Sequence, residues 1–134
     1  MNRRLLASFA VVACASSLAS RTAAQAPRAS IADAKVVRIA ELEIDPAQLD
    51  RYTAAVKEEM EASIRTEPGV LAIYSVAEQD NPSKLRFFEI YADEAAYKAH
   101  IASPHFRKYY EATKTMITSR KLIETTPVLL AAKP

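Results

Sequence analysis

Apolar positions along this chain recur in two rhythms. Residues 36–44, V-V-R-I-A-E-L-E-I, put Val36, Ala40, Leu42 and Ile44 on one side at a period of two, which predicts a strand. Leu49, Tyr52, Val56, Met60 and Ile64 then recur at three and four residues, the single stripe of an amphipathic helix. Asp45-Pro46 opens that helix, with Asp45 as N-cap, Pro46 at the first helical position and Gln48 three residues after the cap. Asp50, Arg51, Lys57, Glu58 and Glu61 fall off the stripe and read as a solvated face, with Glu61 and Arg65 as an i,i+4 pair. Pro68-Gly69 fits a type II turn that stops the helix and requires positive φ at Gly69. Strands over 70–78 and 85–91, joined through Asp80-Asn81-Pro82-Ser83, predict an antiparallel hairpin. Asp93 and Ser103-Pro104 each cap a short helix, and 121–130 reads as the last strand. The order β-α-β-β-α-β, with its second helix broken in two, is an α+β fold: a ferredoxin-like split βαβ with a four-stranded antiparallel sheet.

Both faces of that sheet read as apolar. Val70, Ala72, Tyr74 and Val76 alternate with Leu71, Ile73, Ser75 and Ala77, and Leu85, Phe87 and Tyr91 oppose Phe88, Ile90 and Ala92. A sheet with one face in water would alternate apolar with polar. The helices can cover only one face, so the pattern predicts that a second copy of the chain covers the other, in a homodimer of stacked sheets.

The N-terminal end has a different character. Arg3 and Arg4 precede a short apolar run over 5–13, followed by Ala/Ser-rich sequence, so residues 1–26 are expected to be an export signal. Cleavage is expected after Ala24, or after Ala26 although Pro27 follows it, placing the mature protein in the periplasm or outside the cell. The run is far shorter than the ~20 residues a membrane helix needs. Val11-Val12-Ala13-Cys14 offers the alternative of a lipoprotein anchored through Cys14, and Arg3-Arg4 matches twin-arginine export poorly. Residues 27–35 are expected to be a flexible lead-in to one domain over 36–131. Removing Arg3, Arg4 and Arg21 from the 18 basic residues leaves 15 against 16 acids. A near-neutral mature chain has no nucleic-acid footprint. Once its sole cysteine is gone, it has neither a disulfide nor thiol chemistry.

Candidate chemistry concentrates in 87–110, which holds both histidines, His100 closing one short helix and His105 opening the next. Histidine is the side chain whose ordinary pKa lies near neutrality, although one at a helix end is more often a capping or surface residue. Two histidines five apart across a helix break lack the i,i+4 geometry of a helical metal site, so no metal is expected. A single glycine rules out a Gly-rich phosphate loop, and no serine sits in a nucleophile elbow. What remains is an apolar, aromatic-walled pocket with a few polar groups.

E-P-G-V at 67–70, F-F-E-I-Y at 87–91, D-E-A-A-Y-K-A-H at 93–100 and S-P-H-F at 103–106, in that order and spacing, resemble the antibiotic biosynthesis monooxygenase (ABM) family over essentially the whole mature domain. The resemblance implies a dimeric α+β barrel with a ligand between helices and sheet. It also implies a small quinol monooxygenase that oxidises a quinol, phenol or anthrone-like aromatic with O2 and uses no cofactor. Such an enzyme must bind a flat apolar molecule, take its proton and steady the oxyanion. His105, at a helix N-terminus, is the first candidate base and His100 the second. Arg38 is a candidate for meeting an anion, its plainer reading being an ion pair with Glu89. Tyr74, Phe87, Glu89, Tyr91 and Phe106 are candidate substrate contacts, each aromatic being more often simple core. The alternative from another class is a non-catalytic exported protein that binds a small hydrophobic metabolite. Isomerisation on the same fold ranks lower, and so does haem degradation, because the chain has no tryptophan and Tyr110 stands where haem-degrading relatives place their iron-binding histidine.

Overall fold

The computed structural model describes residues 29–133. The expected export segment, with Cys14 and both expected cleavage positions, lies outside the described residues. Four antiparallel strands, β1 (Val36–Ile44), β2 (Val70–Ala77), β3 (Lys84–Tyr91) and β4 (Ile117–Thr125), form one open sheet in the order β2-β3-β1-β4. Three helices, α1 (Leu49–Thr66), α2 (Glu94–Ala102) and α3 (Pro104–Thr113), complete the ferredoxin-like α+β arrangement expected from the sequence.

Helix starts follow their capping residues. The Asp45 carboxylate accepts the Ala47 N–H at 2.9 Å and holds a single 3-10 turn over Pro46–Gln48, from which α1 continues. Asp93 accepts the Ala96 N–H at 2.8 Å, and the Ser103 hydroxyl accepts the Phe106 N–H at 3.2 Å. Each bond satisfies one N–H that the first helical turn would leave unpaired. Ser103 ends α2 and caps α3 at once, so the two helices meet at a sharp corner.

Four expectations change. The last strand begins at Ile117 and ends at Thr125, because β4 is an edge strand whose outward Thr118, Ser119 and Lys121 hide its apolar rhythm. Residues before β1 are not a loose lead-in throughout: a 3-10 turn, Ile31–Asp33, brings Ala34 into a cluster with Val37, Ala72 and Ile90. The α1 stripe rotates along its length. Tyr52 and Val56 are buried, but the C-terminal half buries Glu59 and Ser63 while Ile64 stays exposed. Gly69 has no positive φ. Its missing side chain is needed because a Cβ there would lie 2.5 Å from the Ala96 Cβ, so glycine lets α2 dock against the turn after α1.

The two faces of the sheet differ sharply. Ala40, Leu42, Ile44, Leu85 and Phe87 pack with Tyr52, Val56 and Met116 beneath the helices. The opposite face carries Ile39, Tyr74, Val76, Phe88 and Ile123, with Tyr74 paired across the strands to Phe88 and both Phe88 and Ile123 paired to Ile39. Alternation alone does not tell which of Phe87 and Phe88 meets the helices; the structure gives that place to Phe87, 5% exposed, and leaves Phe88 37% exposed.

Candidate active site

Between the helices and the covered face lies a cavity of about 100 Å³. Ala40, Leu42, Val56, Phe87, Phe106 and Leu122 form its apolar walls, and Glu59, Glu89, Tyr97, His100, Tyr109 and Arg120 bring polar atoms to it. So much ionisable chemistry around an apolar space has a desolvation cost unless each group finds a partner. No buried side-chain nitrogen or oxygen among the described residues is left without one.

His100, only 2% exposed, is the centre of this arrangement. Its Nδ1 lies 3.0 Å from Glu67 Oε1 and its Nε2 3.7 Å from Glu59 Oε1. Burial by itself would raise the Glu67 pKa, but hydrogen bonds from His100 and His105 outweigh it and hold the carboxyl below its ordinary value. An ionised Glu67 can only accept, so Nδ1 of His100 carries the proton of the neutral ring and Nε2 keeps its lone pair. Glu59 is fixed by the Ser63 hydroxyl at 2.7 Å. The ring itself packs edge-on against Phe106, with centroids 5.0 Å apart, and against Tyr91 at 5.4 Å.

His105 is placed differently. Its Nε2 approaches the same Glu67 oxygen at 2.5 Å, and its ring lines two outer recesses rather than the central cavity. The corner at Ser103 turns α3 so that His105 sits behind Glu67, on the solvent side. His100 therefore lines the central cavity and His105, the first candidate base, does not. The corner also undoes the spacing argument against a metal: ligand atoms of Glu59, His100 and His105 lie within 4.8 Å of one another, a grouping that could hold a cation.

Glu89 borders the cavity, and its side-chain partner is the Tyr91 hydroxyl, which donates at 2.8 Å. Burial raises its pKa, favouring the neutral acid, and the Tyr91 bond only partly opposes this. Arg38 is the cross-strand neighbour of Glu89, yet it does not neutralise it. Its guanidinium turns to Glu94 at 3.1 Å and Glu124 at 3.8 Å, stacked 4.8 Å from the Tyr97 ring centroid. Tyr91 is fully buried behind Glu89, and burial drives its hydroxyl pKa far up, so it stays a neutral donor. Tyr52 and Tyr109 share a 2.7 Å hydroxyl contact at another part of the wall, and burial raises both.

Phe87, Glu89 and Phe106 thus stand at the cavity together with His100, while Tyr74 does not. It lies on the open face, 56% exposed, because its neighbour Ile73 takes the inward position on β2. The sequence reading passed over Glu59, Glu67, Tyr109 and Arg120. A charged residue on the apolar side of α1 was the available signal for Glu59, since position 59 lies three residues beyond Val56.

The family profile for antibiotic biosynthesis monooxygenases matches residues 35–112. A candidate antibiotic biosynthesis monooxygenase of Bacteroides thetaiotaomicron is 50% identical and superposes with a TM-score of 0.73, over 77% of this chain and 98% of that one. A candidate monooxygenase of Lactobacillus acidophilus is 36% identical with a TM-score of 0.68, over 71% of this chain but only 45% of its own. A candidate family member from Nitrosomonas europaea shares the fold at 20% identity and a TM-score of 0.67, over 72% and 92% of the two chains. No functionally curated protein matches. By profile match and by half-identity across nearly the whole of a solved relative, the chain belongs to the antibiotic biosynthesis monooxygenase family.

Proposed function

We propose that this protein is a cofactor-independent monooxygenase for a quinol, phenol or anthrone-like aromatic, with His100 as the base. The observation that carries this reading is a buried imidazole on an apolar, aromatic-walled cavity, fixed through Nδ1 by an ionised carboxylate so that Nε2, 3.7 Å from Glu59 Oε1, is the nitrogen left to take a proton. A substrate hydroxyl at Nε2 loses its proton to His100, and Glu67 stabilises the imidazolium that forms. The aromatic anion gives one electron to O2, and the resulting radical pair joins through a new C–O bond. The His100 imidazolium returns its proton to the peroxide anion, and the hydroperoxide then breaks its O–O bond as the carbon loses its remaining proton, leaving a carbonyl and releasing water. The substrate supplies every electron, so no other reductant enters. In the neutral form that burial favours, Glu89 can donate a hydrogen bond to the oxyanion or peroxide oxygen.

The cavity of one protomer is small for such a substrate, since small-molecule sites usually span ~300–1,000 Å³. Pairing of two copies through the Tyr74, Val76 and Phe88 face would cover these exposed side chains and make the dimer the working unit. Export to the periplasm or beyond rests on the N-terminal sequence.

Oxygen uptake by purified protein against hydroquinones and anthrones, with a chelator present, tests the oxygenase reading. Turnover that survives the chelator supports it. Uptake abolished by the chelator and restored by one metal would move the chemistry to the Glu59, His100 and His105 grouping. Tight binding without uptake would leave a carrier of hydrophobic metabolites.

A further inference from the structure

The cavity is electrically lopsided. Glu59 and Glu89 bring carboxyl groups to its wall around His100, and no arginine or lysine stands there to hold an anionic substituent. Arg120, on β4 opposite Leu42, is the one arginine or lysine of the wall. It also lines an adjoining polar recess with Tyr110, Lys114, Thr118 and Ser119, so it stands where the apolar space opens into a polar one. Its guanidinium lies 5.6 Å from the Tyr110 ring centroid, and among the described residues no carboxylate comes within ion-pair distance of it. Arg38 shows the contrast: it too sits on the covered face, but Glu94, Glu124 and Tyr97 already engage it. Lys114, in the same recess as Arg120, is paired with Glu111.

We propose that Arg120 is the specificity handle of this site and that the substrate is a phenol or quinol bearing an acidic substituent. The ring lies in the cavity, and the anionic group is held by the Arg120 fork at the entrance to the recess. This deepens the oxygenase reading above and rests on it for the identity of the ring. A guanidinium suits the task because its paired N–H groups match the two oxygens of a carboxylate. Its position on an open strand edge leaves room for substituents of different size. The same charge would orient the molecule, since only one end of the cavity carries a permanent cation.

Binding of 2,5-dihydroxybenzoate and of methylhydroquinone by the full chain tests this. Anaerobic calorimetry at low salt requires no turnover. The wild type is expected to bind the carboxylated probe at least ~10-fold more tightly, as a partly exposed charge-assisted contact allows. Arg120→Gln should erase that preference while leaving methylhydroquinone unchanged, and Arg120→Lys should restore part of it. Equal affinity of the wild type for both probes overturns the proposal, as does an Arg120→Gln change that weakens both alike, or failure of both to bind. A preserved preference with no oxygen uptake would sink the oxygenase reading and leave the handle standing.

Discussion

The covered and open faces of this sheet are built from the same strands, yet they depart from ordinary patterning in opposite ways. Between the covered face and its helices lie ionisable groups that a stable core would avoid: buried Glu59 and His100 and half-buried Glu89, with Glu67 behind them. Its opposite exposes apolar groups that a solvated surface would avoid, Tyr74, Val76 and Phe88, with Val76 61% exposed. Buried polarity has a cost that packing alone does not explain, and exposed apolar surface invites a partner. On the proposed function, the first departure is where the chemistry falls and the second is where two copies pair.

The largest effect should come from charging the open face. Phe88→Asp would place an unpaired charge within an apolar interface, where such charges cost several kcal/mol; the dimer constant should weaken by more than ~30-fold. Light scattering or sedimentation measures it, and a wild type that stays monomeric at micromolar concentration would remove the proposed pairing. The matching change on the covered face is Glu67→Gln. It leaves the two histidine N–H groups competing for one neutral oxygen, and stability should fall by about 1–3 kcal/mol in urea unfolding. The depressed Glu67 pKa gives the sign of the pH effect. Its stabilisation is present above the unfolded carboxyl value and is lost as pH falls through the folded one. The deficit of Glu67→Gln should therefore shrink in acid, and a deficit constant with pH would contradict this.

A smaller effect is expected at Gly69→Ala, where the added methyl must push Ala96 and α2 away, costing about 1–2 kcal/mol. Smallest is Glu89→Gln, whose sign is opposite to that of Glu67→Gln. A raised folded pKa means the native state holds the Glu89 proton more tightly than the unfolded chain does, so wild-type stability falls as pH rises above ~4.3. The glutamine variant lacks this slope and should gain on the wild type from mildly acid to neutral pH. Infrared spectra should show a protonated carboxyl band that the variant loses; its absence in the wild type would end the account of Glu89 as a neutral donor.

Local signals carried most of the fold. Strand β1 follows its alternation from Val36 to Ile44, Asp93 and Ser103 cap helices where their sequence contexts predict, and Asp45 caps the 3-10 turn that leads into α1. Period-two patterns do not say which face meets the helices, which is why Tyr74 was expected in the cavity and Ile73 was not. Edge strand β4 starts earlier than expected because its first half, Thr118 to Lys121, is polar and exposed. The site was less legible still. Glu67 reads locally as part of a turn, and only the docking of α2 against Gly69 brings it to His100, 33 residues away in sequence. Glu59 lies one position from the expected α1 stripe, and its place in the site depends on His100, which stands on another helix.

The central claim is that His100 takes the substrate proton. The direct measurement is oxygen uptake with the same quinol by wild type, His100→Ala and His105→Ala across pH. Loss of the base should slow His100→Ala by ~10²–10⁴-fold near neutrality. That deficit should narrow as rising pH ionises the phenol without help, and His105→Ala should lose less. A His100→Ala enzyme with full activity, or with a deficit that does not change with pH, would contradict the account.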